Sequence, residues 1–303
     1  MIYRFLHQFR FVHNLSRSVL TNRFLPFKIA FNLFSLFSFK IKVRRAGAKV
    51  TIPIHKGVGA MNLISSYEPW LLSVLHTILE KEKGAFIDVG ANVGQTLLKV
   101  MPYFPNTKYI AIEPNPSCIS YLKKLCQLNE FQNVRLLASA LADVEGEAEL
   151  QIRFKDDLLA TTTKPFRKYT KYANSLKVKR TTGDKLMMHE KPEDISIIKI
   201  DVEGGEAMVI SGLVDTIRHH QPILLIEILP LDSKDEGVAA FRKNNAETLL
   251  SSLQNLQYEL YNLQLFNRIV ATHDLSKSLE SANYIAFPKA KKGVLDQLKQ
   301  DRQ

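Results

Sequence analysis

From about Pro69 onward the chain alternates short apolar runs with amphipathic stretches, the rhythm of strands and helices laid in turn. Leu71, Leu72, Val74, Leu75 and Ile78 fall on one side of a helix from Pro69 to Lys83. An apolar strand, Ala85 to Val89, then runs through a glycine turn into a predicted amphipathic helix. The strand KYIAIE, a helix from Pro116 to Asn129 and the strand NVRLLA continue the alternation. SIIKID and PILLIEI supply a fourth and a fifth strand, a helix covers Asp235 to Leu256, and YELYNL and NYIAFP close the sheet as antiparallel strands. The lysine-rich end, from Lys289, reads as a solvated helix. Strand and helix in strict succession predict an α/β fold with a doubly wound, mostly parallel sheet. Before this block, Val50, Ile52 and Ile54 alternate across AKVTIPI, as in a short strand or hairpin.

Candidate chemistry gathers at the strand ends. Asp88 closes the first strand of the block, and Gly90, Asn92 and Gly94 follow in a turn where positive φ and close backbone approach are at home. Glu113 ends the next strand, where doubly wound folds hold ribose hydroxyls. Two carboxylates beside a glycine turn disfavour a pyrophosphate and suit a nucleoside whose far end is cationic. As helix cap and turn residue, Asp88 and Glu113 would need no ligand at all. Ser139, Ala140 and Asp143 fall on the loop after the third strand, where an adenine would rest.

The fourth strand is the most charged. Lys199, Asp201 and Glu203 alternate with Ile198, Ile200 and Val202, which places three charged side chains at one rim. Burying them requires pairing, so a purely structural ion pair between Lys199 and Asp201 is the competing explanation. Gly204 and Gly205 open the next helix with Glu206 in its first turn, and Glu227 ends the fifth strand at the same edge.

FIDVGANVGQT, AIEPNP, ALADVEGEAEL, IIKIDVEGGEAMVISGL and QPILLIEI occur in that order, and together they resemble the FkbM-type S-adenosylmethionine-dependent methyltransferases over about Tyr67 to Pro288. The resemblance implies a class I (Rossmann-like) methyltransferase fold with a seven-stranded sheet. It also implies S-adenosyl-L-methionine as cofactor, bound by Asp88, Gly90, Asn92 and Gly94 with Glu113 on its ribose. The activity implied is methyl transfer to oxygen, on a sugar hydroxyl of a glycolipid, polysaccharide or glycosylated natural product. Asp201, Glu203 and Lys199 are the catalytic candidates, Asp201 or Glu203 as base and Lys199 orienting a hydroxyl, with Glu227 supporting them. Gly205 stands where the family's DVEGAE has alanine, which loosens the turn. A rim of carboxylates also raises the option of a divalent cation. No Cys/His cluster suggests zinc, and no metal ligand set is assigned.

Charge changes the picture of the first fifth of the chain. The net charge of +11 comes from eleven Lys and Arg before the first acidic residue, Glu68, while the remaining 30 basic residues match 30 acidic ones. Nine of seventeen phenylalanines also lie within the first 45 residues, and the run Phe24 to Phe39 is too interrupted to span a bilayer. Residues 1–55 are therefore read as an N-terminal helical extension on a methyltransferase domain of residues 56–303. Residues 1–45 could meet an anionic membrane surface, with polar stripes (Asn32, Ser35, Ser38; Arg10, Asn14, Arg17) opposite aromatic ones. Packing of the arm on the domain and organelle targeting are the alternatives. Cys118 and Cys126, about 12 Å apart on one helix, cannot pair, which favours a reducing, cytoplasmic setting with peripheral membrane contact as an option. Methylation of nucleic acid through the basic arm is disfavoured because its aromatics are mixed with aliphatics rather than spaced for stacking. A cofactor-binding protein without catalysis is the remaining reading.

Overall fold

The computed structural model describes residues 38–56, 58–63, 69–152, 160–163 and 174–301. The helices and polar stripes expected over residues 1–37 lie outside them, as does most of the segment from Asp156 to Ser175. The described chain begins with two antiparallel strands, β1 (Ser38–Arg45) and β2 (Ala48–His55). Helix α1 (Pro69–Lys81) leads to β3 (Ala85–Val89), α2 (Leu97–Val100), β4 (Tyr109–Ile112), α3 (Pro116–Asn129) and β5 (Val134–Leu137). There follow β6 (Ala140–Leu141), β7 (Gly146–Ile152), β8 (Asn174–Thr181) and α4 (Gly183–Glu190). Next come β9 (Ile195–Ile200), α5 (Glu206–Ser211), α6 (Val214–His220) and β10 (Ile223–Glu227). The described chain closes with α7 (Glu236–Asn255), β11 (Tyr258–Asn262), β12 (Arg268–Ile269), β13 (Asn283–Pro288) and α8 (Lys292–Gln300).

The main sheet has the order β12-β11-β13-β10-β9-β3-β4-β5. Strands β5, β4, β3, β9 and β10 pair in parallel, and β13 enters antiparallel between β10 and β11. This is the doubly wound, mostly parallel class I arrangement, with an eighth strand beyond the seven expected because the two-residue β12 folds back on β11. The central strands are buried on both faces, so their side chains sort by parity. Phe86, Tyr109, Ala111, Ile197 and Leu225 meet the layer built from α1, α2, α3, α8 and the hairpin. Ile87, Val89, Ile110, Ile198, Ile200 and Leu224 meet α5, α6 and α7.

Two expectations are corrected. The boundary at residue 55 falls inside a packed element: Val43, Val50, Ile52 and Ile54 of the hairpin are buried in the domain's core, with Phe39 and Ile41 against it. Residues 38–55 therefore belong to the domain: AKVTIPI forms the expected strand, β2, and β1 stands where the helical extension was read. The helix after the glycine turn is also a single short turn, not an amphipathic helix. Leu97, Leu98, Lys99 and Val100 are all buried, so no polar stripe exists, and Pro102 forbids extension. A third element escaped the sequence reading altogether: β6, β8 and β7 form a separate three-stranded sheet around Leu150, Ile152 and Val178.

Candidate active site

The carboxyl ends of β3, β4, β9 and β10 lie side by side at one edge of the sheet. At β3 the chain leaves the ladder through Gly90 (φ +84°), Asn92 (φ +49°) and Gly94 (φ +78°), three left-handed positions in five residues. The glycines are demanded by protein as much as by any ligand. A Cβ on Gly90 would overlap the carbonyl oxygen of Asp201, and one on Gly94 would press on Leu122 and Leu125 of α3 at 2.9 and 3.1 Å. Asn92 has a side chain whose Oδ1 lies 3.7 Å from the Cys118 thiol, and its local bonding is what allows a non-glycine residue there.

Glu113, just past β4, accepts the backbone N–H of Asn92 on Oε2 and that of Asn115 on Oε1, each at 2.8 Å. Its carboxylate thereby ties the β3 turn to the start of α3, and each oxygen keeps capacity for one more donor. Burial pushes its pKa to about 7, against the lowering effect of those two N–H groups. Asp88 is fully buried, on the same sheet face as Lys199, its cross-strand neighbour. The Tyr109 hydroxyl donates to its Oδ2, while Oδ1 is buried with no hydrogen-bond partner among the described residues. Burial raises the Asp88 pKa, with Lys199, Tyr109 and Lys99 pulling the other way. Tyr109 and the buried Lys99 were not singled out from the sequence.

At β9 the structure brings together the residues expected there. Lys199 Nζ lies 2.9 Å from Asp201 Oδ2, with the lysine side chain 12% exposed and the aspartate 37%. The ion pair weighed as a structural alternative is thus real, and its aspartate still reaches solvent. Glu227 at the end of β10 is mostly buried beside them. Burial, the charges of Asp201 and Glu203 and a hydrogen bond with Asp201 hold its pKa well above the usual carboxylate range, against Lys199. Glu203 adopts φ +57°, and the Thr161 hydroxyl donates to its carbonyl oxygen at 2.9 Å. Thr161 in turn accepts from the Thr163 N–H at 3.0 Å, and the Thr163 hydroxyl is buried without a partner among the described residues. These threonines lie between β7 and β8, and no periodicity marked them. Among the described residues no group of three or more His, Cys, Asp or Glu is arranged to hold a metal ion.

Ser139 is buried, its hydroxyl donating to the carbonyls of Ala140 and Lys179, and Ala140 starts β6. Both sit next to β5's carboxyl end but are engaged in joining the small sheet to the large one. Glu206 is not the simple dipole partner that its place in a first turn suggests. It is buried, accepting the Gly204 N–H at 2.9 Å and the Asn245 amide at 3.3 Å, and burial raises its pKa from 4.5 to about 7. The folded protein therefore holds a proton that the unfolded chain releases between those values. The stabilisation from it is complete below about 4.5 and is lost as pH rises through 7. Glu206→Gln is expected to leave stability at pH 5 nearly unchanged and to raise it at pH 8 by ~1–2 kcal/mol. Urea denaturation at both pH values checks this, and equal gains at both would reject buried charge as the cause.

Residues 88–260, more than half of the chain, match the profile of the Methyltransferase FkbM domain. The chain belongs to the FkbM methyltransferase family. The resemblance drawn from the motifs is borne out, and the donor that goes with this family is S-adenosylmethionine. No curated protein is close enough in sequence to stand as a relative. Among solved structures, the methyltransferase FkbM from Methylobacillus flagellatus KT is 14% identical with a TM-score of 0.41; the alignment covers 68% of this chain and 43% of that one. This chain therefore spans less than half of that protein's length. The SAH-bound methyltransferase PaMTH1 of Podospora anserina is 11% identical with a TM-score of 0.41, over 76% of this chain and 81% of that one.

The residues of this FkbM domain fit such a donor. The unpartnered Oδ1 of Asp88 and the spare acceptor capacity of Glu113 flank a turn whose backbone carries no side chain at Gly90 or Gly94. A cationic amino-acid end and a ribose diol are the groups those two carboxylates would take.

Proposed function

We propose that this protein is an S-adenosylmethionine-dependent O-methyltransferase acting on a sugar hydroxyl in a glycolipid, polysaccharide or glycosylated natural product. The observation that carries this reading is the Lys199–Asp201–Glu227 group at the strand ends, a solvent-reaching carboxylate held from both sides beside the donor turn. Bound there, the donor would supply an electrophilic methyl group on a sulfonium, whose sulfur would leave as a neutral thioether as an acceptor oxygen takes the methyl. The protein's part is to place that oxygen and take its proton. Asp201 is assigned as the group that accepts or orients the hydroxyl proton, with Glu203 as the neighbouring carboxylate. Lys199 fixes the Asp201 carboxylate, and Glu227, its pKa raised by burial and by the charges of Asp201 and Glu203, shares a hydrogen bond with it. Glu113 holds the ribose, Asp88 faces the amino-acid end, and Ser139 and Ala140 line the adenine side.

Donor binding carries a pH signature. Ribose hydroxyls need the ionised form of Glu113, whose pKa of about 7 in the free protein means that below 7 binding must expel a proton. Affinity is therefore expected to tighten by up to about tenfold per pH unit approaching 7 and to level off above it. Calorimetry with S-adenosylmethionine, followed by a screen of lipid-linked and soluble glycans with labelled donor, tests both halves. Donor binding without label on any glycan would sink the sugar assignment, and no donor binding at any pH would sink the enzymatic reading itself.

A further inference from the structure

The β1–β2 hairpin has two faces. Phe39, Ile41 and Val43 lie opposite Ile54, Ile52 and Val50, and this face packs on the core. On the other face Lys40, Lys42 and Arg44 lie opposite Pro53, Thr51 and Lys49. All four cationic residues are exposed, and none forms an ion pair among the described residues. Alternate residues in a strand stand about 7 Å apart, so four positive charges occupy a patch two strands wide. Arg44 directly opposite Lys49 is a like-charge pair that costs the hairpin stability. The arrangement makes sense when something anionic covers it.

We propose that this outer face docks the protein on an anionic lipid bilayer. The assignment goes beyond the catalytic reading and does not depend on it. Phosphate headgroups match the patch in charge, and Lys and Arg side chains held beside such a surface are drawn to it. The choice of a bilayer over a nucleic acid rests on side-chain chemistry. Besides its cations the patch on the hairpin's outer face has only Thr51, half-buried, and Pro53, buried, with no aromatic or amide side chain of its own to stack on or read a base. The chain leading into it, from Phe24 to Phe37, is rich in Phe and Leu and free of acidic residues, a composition that partitions into the headgroup and acyl boundary.

The hairpin's seat gives the docked state an orientation. Thr51 is tied to Asn129 at the far end of α3, the Tyr121 hydroxyl donates to the Pro53 carbonyl, and Asn62 donates to Val93 beside the donor turn. The cationic face thus runs along the flank of α3, and its Ser38 end lies toward the edge that carries the candidate site.

Flotation of the full chain with vesicles of phosphatidylcholine and phosphatidylglycerol, against phosphatidylcholine alone, tests the surface. Binding is expected only to the anionic vesicles, weakening with salt. Combined Lys40→Gln, Lys42→Gln, Arg44→Gln and Lys49→Gln substitution is expected to lower the partition coefficient by about a hundredfold or more. The pair Lys40→Gln and Lys42→Gln alone, further from the turn, should lower it about tenfold with an unchanged melting curve. Lys177→Gln with Lys185→Gln, which removes the same charge from elsewhere on the surface, should leave it unaltered. Undiminished anionic binding by the hairpin variants would overturn the proposal. So would equal flotation with neutral vesicles, or tighter binding to duplex DNA than to the anionic vesicles at the same ionic strength.

Discussion

Asp201→Asn is expected to lower the rate of methyl transfer by about 10²- to 10⁴-fold while leaving S-adenosylmethionine affinity within about twofold. Asparagine keeps the size of the side chain and one acceptor oxygen but cannot take a proton. The Asp201 carboxyl group is 37% exposed, which leaves it accessible to an acceptor, and it lies 2.9 Å from Lys199 Nζ. The substitution should also be tolerated by the fold. Asp201 is one of the charges that raise the Glu227 pKa, so its removal lowers that pKa and favours a carboxylate there to balance Lys199. Single-turnover kinetics with labelled donor separates the outcomes. A loss in kcat with unchanged donor affinity supports the role, and full turnover by the variant rejects it.

The second large effect concerns the fold itself. Gly90→Ala is expected to destabilise the protein by about 3–5 kcal/mol, read as a fall in the urea midpoint. Gly90 sits at φ +84°, and its Cβ would overlap the Asp201 carbonyl oxygen and lie 2.9 Å from the carbonyl carbon. Neither segment can easily yield. The Gly90 N–H is bonded to the Ile112 carbonyl at 2.9 Å and the Asp201 N–H to the Val89 carbonyl at 3.1 Å, so separation would open the ladder on both sides of β3. Gly47→Ala is the control. Gly47 has φ +75° but nothing within 4 Å of its absent Cβ, so only the left-handed penalty of about 1–2 kcal/mol should appear. Equal effects at the two positions would show that the contact with Asp201 contributes nothing.

What could be read without coordinates was what the chain states locally. β3, β4, β9 and β10 are apolar runs ended by glycine, proline or acid, and α3 starts at Asn115–Pro116, a capping residue and a proline in the first turn. Their order puts Asp88, Glu113, Asp201 and Glu227 at one edge before any contact is known. Contacts across strands were not legible. Tyr109 is cross-strand from Phe86, and its hydroxyl reaches Asp88 only because β3 and β4 pair in that parallel register. The Asp201–Glu227 bond likewise depends on the β9–β10 pairing.

Two misses had signals that other patterns hid. Phe39, Ile41 and Val43 alternate with Lys40, Lys42 and Arg44 with the period of a strand, but the surrounding run of basic residues drew attention to charge instead. Ala148, Leu150 and Ile152 alternate in the same way in β7, a strand that pairs with β8 across a long intervening segment. The helical expectation after Gly94 failed for a different reason. Amphipathic periodicity is a statement about exposure, and that segment has none.

The antiparallel insertion of β13 bears on how such a molecule is made. β10 carries Glu227 and has β9 on one side, but its other neighbour is residues 283–288, encoded some sixty positions later. A chain emerging from the ribosome can assemble β3, β4, β5 and β9 in sequence, yet until that late segment arrives β10 exposes a bare row of amide and carbonyl groups to any passing strand. Completion of the acidic edge is thus a terminal event in synthesis, and a polypeptide interrupted before Asn283 would carry β10 as an adhesive border rather than as part of a catalytic wall.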